Sequence, residues 1–426
     1  GNNYSVKPTH PDPNVALRFN WNAAINMDPF DSSTLYFGSQ FVHKSTDKGL
    51  SWTIISGDLT TNDKEKQKQG ESGGLTMDAT GAENHTTILV IEPSEVEQNM
   101  LWAGSDDGRV HVTKNGGSNW TDVSNNIPGL PQGSWIAQIK ASNKNKGEAL
   151  LIANDYRRFN YTPYAYRTKD YGASWSRIVD ENDVKSYTLS IVEDLETENL
   201  LFLGTDDGLY YSINAGESWT KFDAKVFPTV PTKDLVIHPR EDDLIIGTFG
   251  RAAWILDDIR PLRQFAKNTE ASKEHINLFE PPTAYMAAYQ QPTGSRFGGD
   301  ALYHGTNRGY GARFAYYFNS KSEEKRDTLV QWDTLKLQIF DQERLIRTLK
   351  QKVPKENGVK YWTWYMDEKG VEYPTKATTK TKKEPSGTRV LKGTYKAVLN
   401  YGNLSSETSI RVENDPRLNV NDEAQR

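Results

Sequence analysis

One short pattern recurs four times in this chain, at Ser45-x-Asp47-x-Gly49-x-x-Trp52, Thr113-x-Asn115-x-Gly117-x-x-Trp120, Thr168-x-Asp170-x-Gly172-x-x-Trp175 and Ser212-x-Asn214-x-Gly216-x-x-Trp219. A hydroxyl residue, an Asp or Asn and a Gly at this spacing describe a tight turn. The Asp or Asn side chain is expected to bond backbone N–H groups two residues on, and Gly accepts φ > 0 without a Cβ clash. The Trp is expected to open the next strand and fold its ring back over the turn. One copy would carry little weight. Four in order, with tryptophans 68, 55 and 44 residues apart, define a repeat architecture.

The segments between the boxes read as short strands. In the second repeat, Thr87-Ile88-Leu89-Val90-Ile91 and Met100-Leu101-Trp102-Ala103-Gly104 are followed by Asp106-Asp107-Gly108, Val110-His111-Val112 and the box. The fourth repeat matches it, with Thr188 to Val192, Leu200 to Gly204, Asp206-Asp207-Gly208 and Tyr210-Tyr211. Asp-Gly between two β-runs is a hairpin signal. The third repeat carries a longer excursion, Asn154 to Asn160, at the same place, and a fifth, degenerate repeat ends in Trp254-Ile255-Leu256-Asp257. Four strands per unit at this period predict β-propeller blades rather than a β-solenoid. Five blades are few for a closed ring, so the expectation is that further blades, from upstream of Gly1 or from another chain, complete it.

The expected organisation is all-β: a lead-in over 1–17, about five four-stranded blades over 18–262, a linker over 263–310 that includes the Gly-rich stretch 294–299, an immunoglobulin-like β-sandwich over 311–414 and a charged tail over 415–426. The sandwich is read from roughly seven short strands, among them Phe314 to Phe318, Leu335 to Phe340 and Gly393 to Leu399. Composition fits turn-rich β-structure: aromatics make up 11% of the chain, with 11 Trp and 21 Tyr. The net charge of −5 and the lack of a basic stripe argue against nucleic acid. With no cysteine, disulfides and thiolate metal sites are excluded. No apolar run approaches the length of a membrane-spanning helix.

The boxes resemble the Asp-box, or BNR, repeats of sialidases, xyloglucanases and sortilin-type receptors. The runs Tyr36-Phe37-Gly38-Ser39-Gln40, Gly73-Gly74-Leu75-Thr76, Gly104-Ser105-Asp106-Asp107-Gly108 and Trp254-Ile255-Leu256-Asp257-Asp258 resemble the C-terminal half of exported proteins of Bacteroidota described as sortilin-like or as BNR-repeat glycosyl hydrolases. That resemblance implies export to the periplasm, outer-membrane surface or exterior, and an immunoglobulin-like module after the propeller.

A four-strand meander sorts the candidate residues by face. The boxes join strands three and four, so they share one face and are expected to be structural; Asn115 and Asn214 cap a turn as Asp does but cannot serve as catalytic carboxylates. The opposite face collects Asp106, Asp107, Asp155, Arg157, Arg158, Asp206, Asp207 and Arg251, together with the long loop from Ser56 to Asn84. These residues are the expected ligand-binding set, for protein or glycan. Asp155, Asp206 and Asp207 are the candidate catalytic carboxylates if the chain is instead a glycosidase, which needs two acids across a cleft. No metal or other cofactor is expected, although calcium at Asp106/Asp107 or Asp206/Asp207 is an alternative. The primary expectation is a non-enzymatic binding propeller; a glycoside hydrolase and a structural subunit of a surface assembly are the others.

Overall fold

The computed structural model describes residues 5–68, 84–287, 308–320, 332–371, 374, 385 and 387–421. The expected features Gly73 to Thr76, Gly294 to Gly299 and much of the loop before Asn84 lie outside them. The chain divides into two units, Gly1–Asp257 and Asp258–Arg426.

The first unit is a series of separate antiparallel meanders. Blade one contains β1 (Ile25–Met27), β2 (Leu35–Gly38), β3 (Val42–Ser45) and β4 (Thr53–Ile54). Blade two contains β5 (Ile88–Pro93), β6 (Leu101–Ser105), β7 (Val110–Thr113) and β8 (Thr121–Asp122). Blade three contains β9 (Trp135–Ala141), β10 (Ala149–Asp155), β11 (Asn160–Thr168) and β12 (Ser176–Arg177). Blade four contains β13 (Thr188–Glu193), β14 (Leu201–Thr205), β15 (Gly208–Ser212) and β16 (Thr220–Lys221). Blade five has three strands rather than the expected four: β17 (Thr232–His238), β18 (Asp243–Thr248) and β19 (Ala253–Leu256). The arrangement is that of a β-propeller.

First strands pack on one another in succession, β5 with β9, β9 with β13 and β13 with β17. Burial follows from this stacking. The second strands of blades two, three and four are buried at every position, because each has a neighbour on both faces. Glycine allows the approach: a Cβ on Gly104 would stand 2.6 Å from Cγ2 of Ile136, and one on Gly204 would stand 2.5 Å from the Thr232 carbonyl oxygen. The second strands of blades one and five instead alternate between covered and less covered positions.

The four boxes fold alike, with a longer reach than the sequence suggests. In the first, the Ser45 hydroxyl donates to Asp47 (2.7 Å) and accepts from the Gly49 N–H (2.8 Å), while Asp47 accepts from the Ser51 N–H (2.9 Å). Thr113/Asn115/Asn119, Thr168/Asp170/Ser174 and Ser212/Asn214/Ser218 repeat these bonds. The acceptor thus serves the N–H four residues on, not two. The box tryptophans also depart from expectation. The indole N–H groups of Trp120 and Trp219 donate to the carbonyls of Ile55 (2.9 Å) and Ile178 (2.8 Å), at the end of the preceding blade. Trp175 packs edge-on against Trp102 of blade two. The box is therefore a fastener between blades as well as a turn.

The lead-in is packed rather than merely extended. His10 lies 5.7 Å from Phe41, and Val6 lies against Gly49.

In the second unit a short helix, α1 (Arg260–Lys267), precedes two packed sheets. One sheet orders β20 (Ile276–Leu278), β22 (Ala312–Phe318) and β25 (Gly358–Trp364). The other orders β21 (Ala284–Met286), β27 (Leu404–Asn414), β26 (Gly393–Tyr401), β23 (Thr334–Asp341) and β24 (Arg344–Lys352). Phe314, Phe318 and Trp364 from the first meet Leu337, Leu399 and Ile410 from the second in one core. The expected linker over 263–310 needs correction, because β20 and β21 within it are strands of this sandwich, β21 pairing in parallel with β27.

Candidate functional site

Opposite the boxes, the hairpins between second and third strands of blades two and four meet the chain entering the first strand of their own blade. The two Asp-Asp-Gly hairpins use their first carboxylates inward. Asp106 is buried and accepts from the Thr87 N–H (2.8 Å) and hydroxyl (2.7 Å). Burial pushes its pKa from 3.8 up to about 7. Asp206 accepts from the Tyr187 hydroxyl at 2.7 Å. The second carboxylates tie down neighbours. Asp107 accepts from the N–H and hydroxyl of Thr61 (2.8 and 2.6 Å), closing the long loop onto blade two. Asp207 accepts from the Thr205 hydroxyl (2.7 Å) and the Lys221 ammonium (2.8 Å).

The excursion of blade three is a 3-10 turn over Tyr156–Arg158, closed by Phe159 at φ +61. It points Arg158 back onto Asp155, which is buried and also bonded by Asn160. Arg157 turns outward. Its guanidinium lies 3.6 Å from the ring centroid of Trp135 and 4.5 Å from that of Tyr156. Tyr156 stacks on Tyr187 at 4.5 Å, Tyr187 meets Tyr161 at 6.1 Å, and His85 lies 6.4 Å from Trp135. A continuous aromatic–guanidinium stack therefore crosses from the entry to blade two to the entry to blade four.

The structure brings together Asp106, Asp107, Asp155, Arg157, Arg158 and Asp206 around this stack. Asp207 turns away to Lys221, and Arg251 makes no side-chain contact with the cluster among the described residues. Sequence reasoning missed His85, Trp135, Tyr187, Lys66 and Lys233. All but Lys66 sit at or just before the start of a first strand. A signal for that position was present, because Thr87, Thr188 and Thr232 recur there and are all buried.

Chemically, every candidate carboxylate is engaged by protein donors, whereas Arg157 and Tyr161 are exposed and Trp135, Tyr156 and Tyr187 are half-buried beside them. Among the described residues, no three His, Asp or Glu side chains come together around a metal-sized point. The box-bearing face is not featureless: a cavity of about 180 Å³ there is lined by Glu92, Glu148, Glu193 and Lys140. Its charges are largely paired internally, with Arg167 bridging Glu148 (2.8 Å) and Glu193 (2.9 Å) and Lys140 reaching Glu92 (3.4 Å).

Residues 164–275, from β11 to the entry of the second unit, match the Sortilin-Vps10 family model, described as sortilin, neurotensin receptor 3. The chain is similar to the vacuolar protein sorting/targeting protein 10 of Pyrenophora teres f. teres, at 30% identity over 115 residues, which is 26% of this chain and 7% of that protein. The protein of the same description from Pyrenophora tritici-repentis is 29% identical over 113 residues, again 7% of its length. The chain thus spans a small part of these relatives. Among solved structures it is similar to a xyloglucanase from Xanthomonas campestris, at 16% identity and a TM-score of 0.39, covering 55% of this chain and 36% of that one. It is also similar to YCF48 from Cyanidioschyzon merolae, at 12% identity and a TM-score of 0.35, covering 58% and 68% respectively.

Proposed function

We propose that the propeller unit is a non-catalytic, exported, sortilin-like binding module that captures a protein or glycan ligand on the loop face opposite the boxes. The observation that carries this reading is the division of labour on that face. Asp106, Asp107, Asp155, Asp206 and Asp207 are consumed in holding loops, while Trp135, Arg157, Tyr156, Tyr187 and Tyr161 form a preorganised surface. Residues of these types dominate recognition surfaces, because they offer large contact area at low conformational cost. The partial match to a sorting-receptor family supports the same direction. A glycosidase needs a pair of carboxyl groups facing a cleft. Asp106, the carboxyl with a raised pKa, is buried against Thr87 and unsuited to that role.

The test is to probe the whole chain against arrays of glycans and peptides, beside a reducing-end assay on the same polysaccharides. Binding without hydrolysis is expected, lost on Trp135→Ala with the melting temperature retained. Hydrolysis abolished by Asp155→Asn or Asp206→Asn would overturn the reading.

A further inference from the structure

The chain carries a net charge of −5, yet cations converge on the centre of the loop face. Lys66 Nζ and Arg158 Nη1 both flank the α-carbon of Gly133, 3.5 and 3.8 Å from where a Cβ there would stand. Arg157 lies on Trp135, a few residues along the same segment. Lys233, at the start of β17, lies 6.0 Å from the ring centroid of Phe249 and is held below the usual lysine range by desolvation and then by the charge of Arg157. His85, beneath Lys66, is lowered in the same way, first by burial and then by the Lys66 charge. Arg158 is paired with Asp155, but Lys66, Arg157 and Lys233 have no carboxylate within salt-bridge distance among the described residues. The facing acids, Asp106, Asp107 and Asp206, are each bound by Thr or Tyr donors. Cations gathered without a direct ion pair of their own cost stability, and such a focus is what draws an anion from solution.

The surroundings narrow the kind of anion. Beside these cations stand aromatic rings, with Phe159 85% and Tyr161 54% exposed. The exposed aliphatic residues Ile25, Met27, Val236 and Ile255 belong to strands of the first and last blades, not to this cluster. Protein interfaces deplete Lys, Glu and Asp at their centres while enriching Arg and aromatic rings, so Lys66 and Lys233 are what set this centre apart. A centre of unpaired cations with flat rings alongside suits a hydrated, charged chain whose units have faces to stack.

We propose, on the basis of the binding function above, that Lys66, Arg157 and Lys233 form a subsite for the oxyanion of an acidic glycan, with Tyr161 and Phe159 as the stacking surface for adjoining sugars. The shared chemistry is a uronate carboxylate or a sulfate ester. The face of the Arg157 guanidinium rests on Trp135, and a planar guanidinium of this kind can give an oxyanion two parallel N–H bonds.

Calorimetry on the whole chain would compare oligogalacturonate, a sulfated galactan oligosaccharide, a neutral xyloglucan oligosaccharide and a poly-glutamate peptide. One or both acidic glycans should bind, and which of them binds identifies the oxyanion. Arg157→Ala and the pair Lys66→Ala/Lys233→Ala should each weaken binding about tenfold or more and flatten its salt dependence. Tyr161→Ala should weaken it without changing the salt dependence. The substituted side chains are exposed, so unchanged melting temperatures are expected and separate loss of contact from loss of fold. Equal binding of the neutral oligosaccharide, full affinity in Arg157→Ala, or binding of the peptide alone overturns the acidic-glycan assignment. The last of these leaves the binding function standing, whereas no binding of any probe here or on the arrays removes both.

Discussion

Two buried titratable residues of the propeller unit have opposite pH signatures. Asp106 keeps its proton to about pH 7 because burial penalises its charged form, while the unfolded chain loses that proton near 3.8. Between those values the unfolded state binds fewer protons, so stability falls as pH rises. His43 is buried beside the Ser39 hydroxyl (2.8 Å), and burial lowers its pKa from 6.5 to about 4. There the unfolded state binds more protons, so stability rises with pH from about 4 to 6.5. Asp106 is faced by His85, Asp107 and Arg157, and Asn in its place can still accept from the Thr87 N–H. Asp106→Asn is therefore expected to remove the falling limb, worth on the order of a few kcal/mol, and leave the rising one. Melting curves from pH 4 to 7.5 check this, and an unchanged slope in the variant defeats it. The box hydroxyl makes a second case at this scale. Thr168 is buried and accepts from the Gly172 N–H at 3.0 Å, so Thr168→Val strands a donor at a cost of about 1–3 kcal/mol. Asp170→Asn should cost less, since Asn115 and Asn214 make the same backbone bond in their own boxes. Denaturant unfolding of the two variants ranks them.

At the scale of the element, the box is a joint, and its glycine shows why. Gly117 has φ +95, and a Cβ there would stand 2.5 Å from the Ile55 carbonyl oxygen, the acceptor of the Trp120 indole. Gly129 also has a positive φ, +68, but no atom lies within 4 Å of its Cβ position. Gly129→Ala should cost about 1–2 kcal/mol for backbone strain alone. Gly117→Ala should cost clearly more, because blade one must also shift; equal unfolding midpoints would sink the idea of the box as a joint. This explains what was legible in the sequence and what was not. Box positions, strand order and the face that gathers Asp106, Asp155 and Arg157 follow from local chemistry and period. The partner of a box tryptophan does not, because it lies 65 residues away for Trp120 and 41 for Trp219. Trp135 and Tyr187 were passed over because a ring at a strand start reads as core until register shows which way it faces. The strands β20 and β21 were hidden in a supposed linker because three residues cannot display alternation.

For the propeller unit as a whole, the two terminal blades decide its behaviour in solution. Val236, Ile245 and Ile255 sit in register across blade five, in a row on one face of its sheet, with Val236 50% and Ile255 63% exposed. Blade one presents Ile25 and Met27 on the side away from Asn26, whose side chain reaches blade two at the Ile91 carbonyl and Glu92. Its covering is partial: Val6 lies on Gly49 as Ile55, Val123 and Ile178 of preceding blades lie on Gly117, Gly172 and Gly216. At the internal junctions a neighbouring blade covers the corresponding surface. Exposed apolar surface of this sort drives association, and excluded salts strengthen it. The chain is expected to show light scattering that grows with concentration and with added sulfate. Val236→Lys/Ile255→Lys should reduce that growth, and so should Ile25→Lys/Met27→Lys, while Phe159→Ala on the loop face should not. If the lysine variants associate as strongly as the parent, or if Phe159→Ala alone suppresses association, the exposed apolar rows of blades one and five are not what drives it.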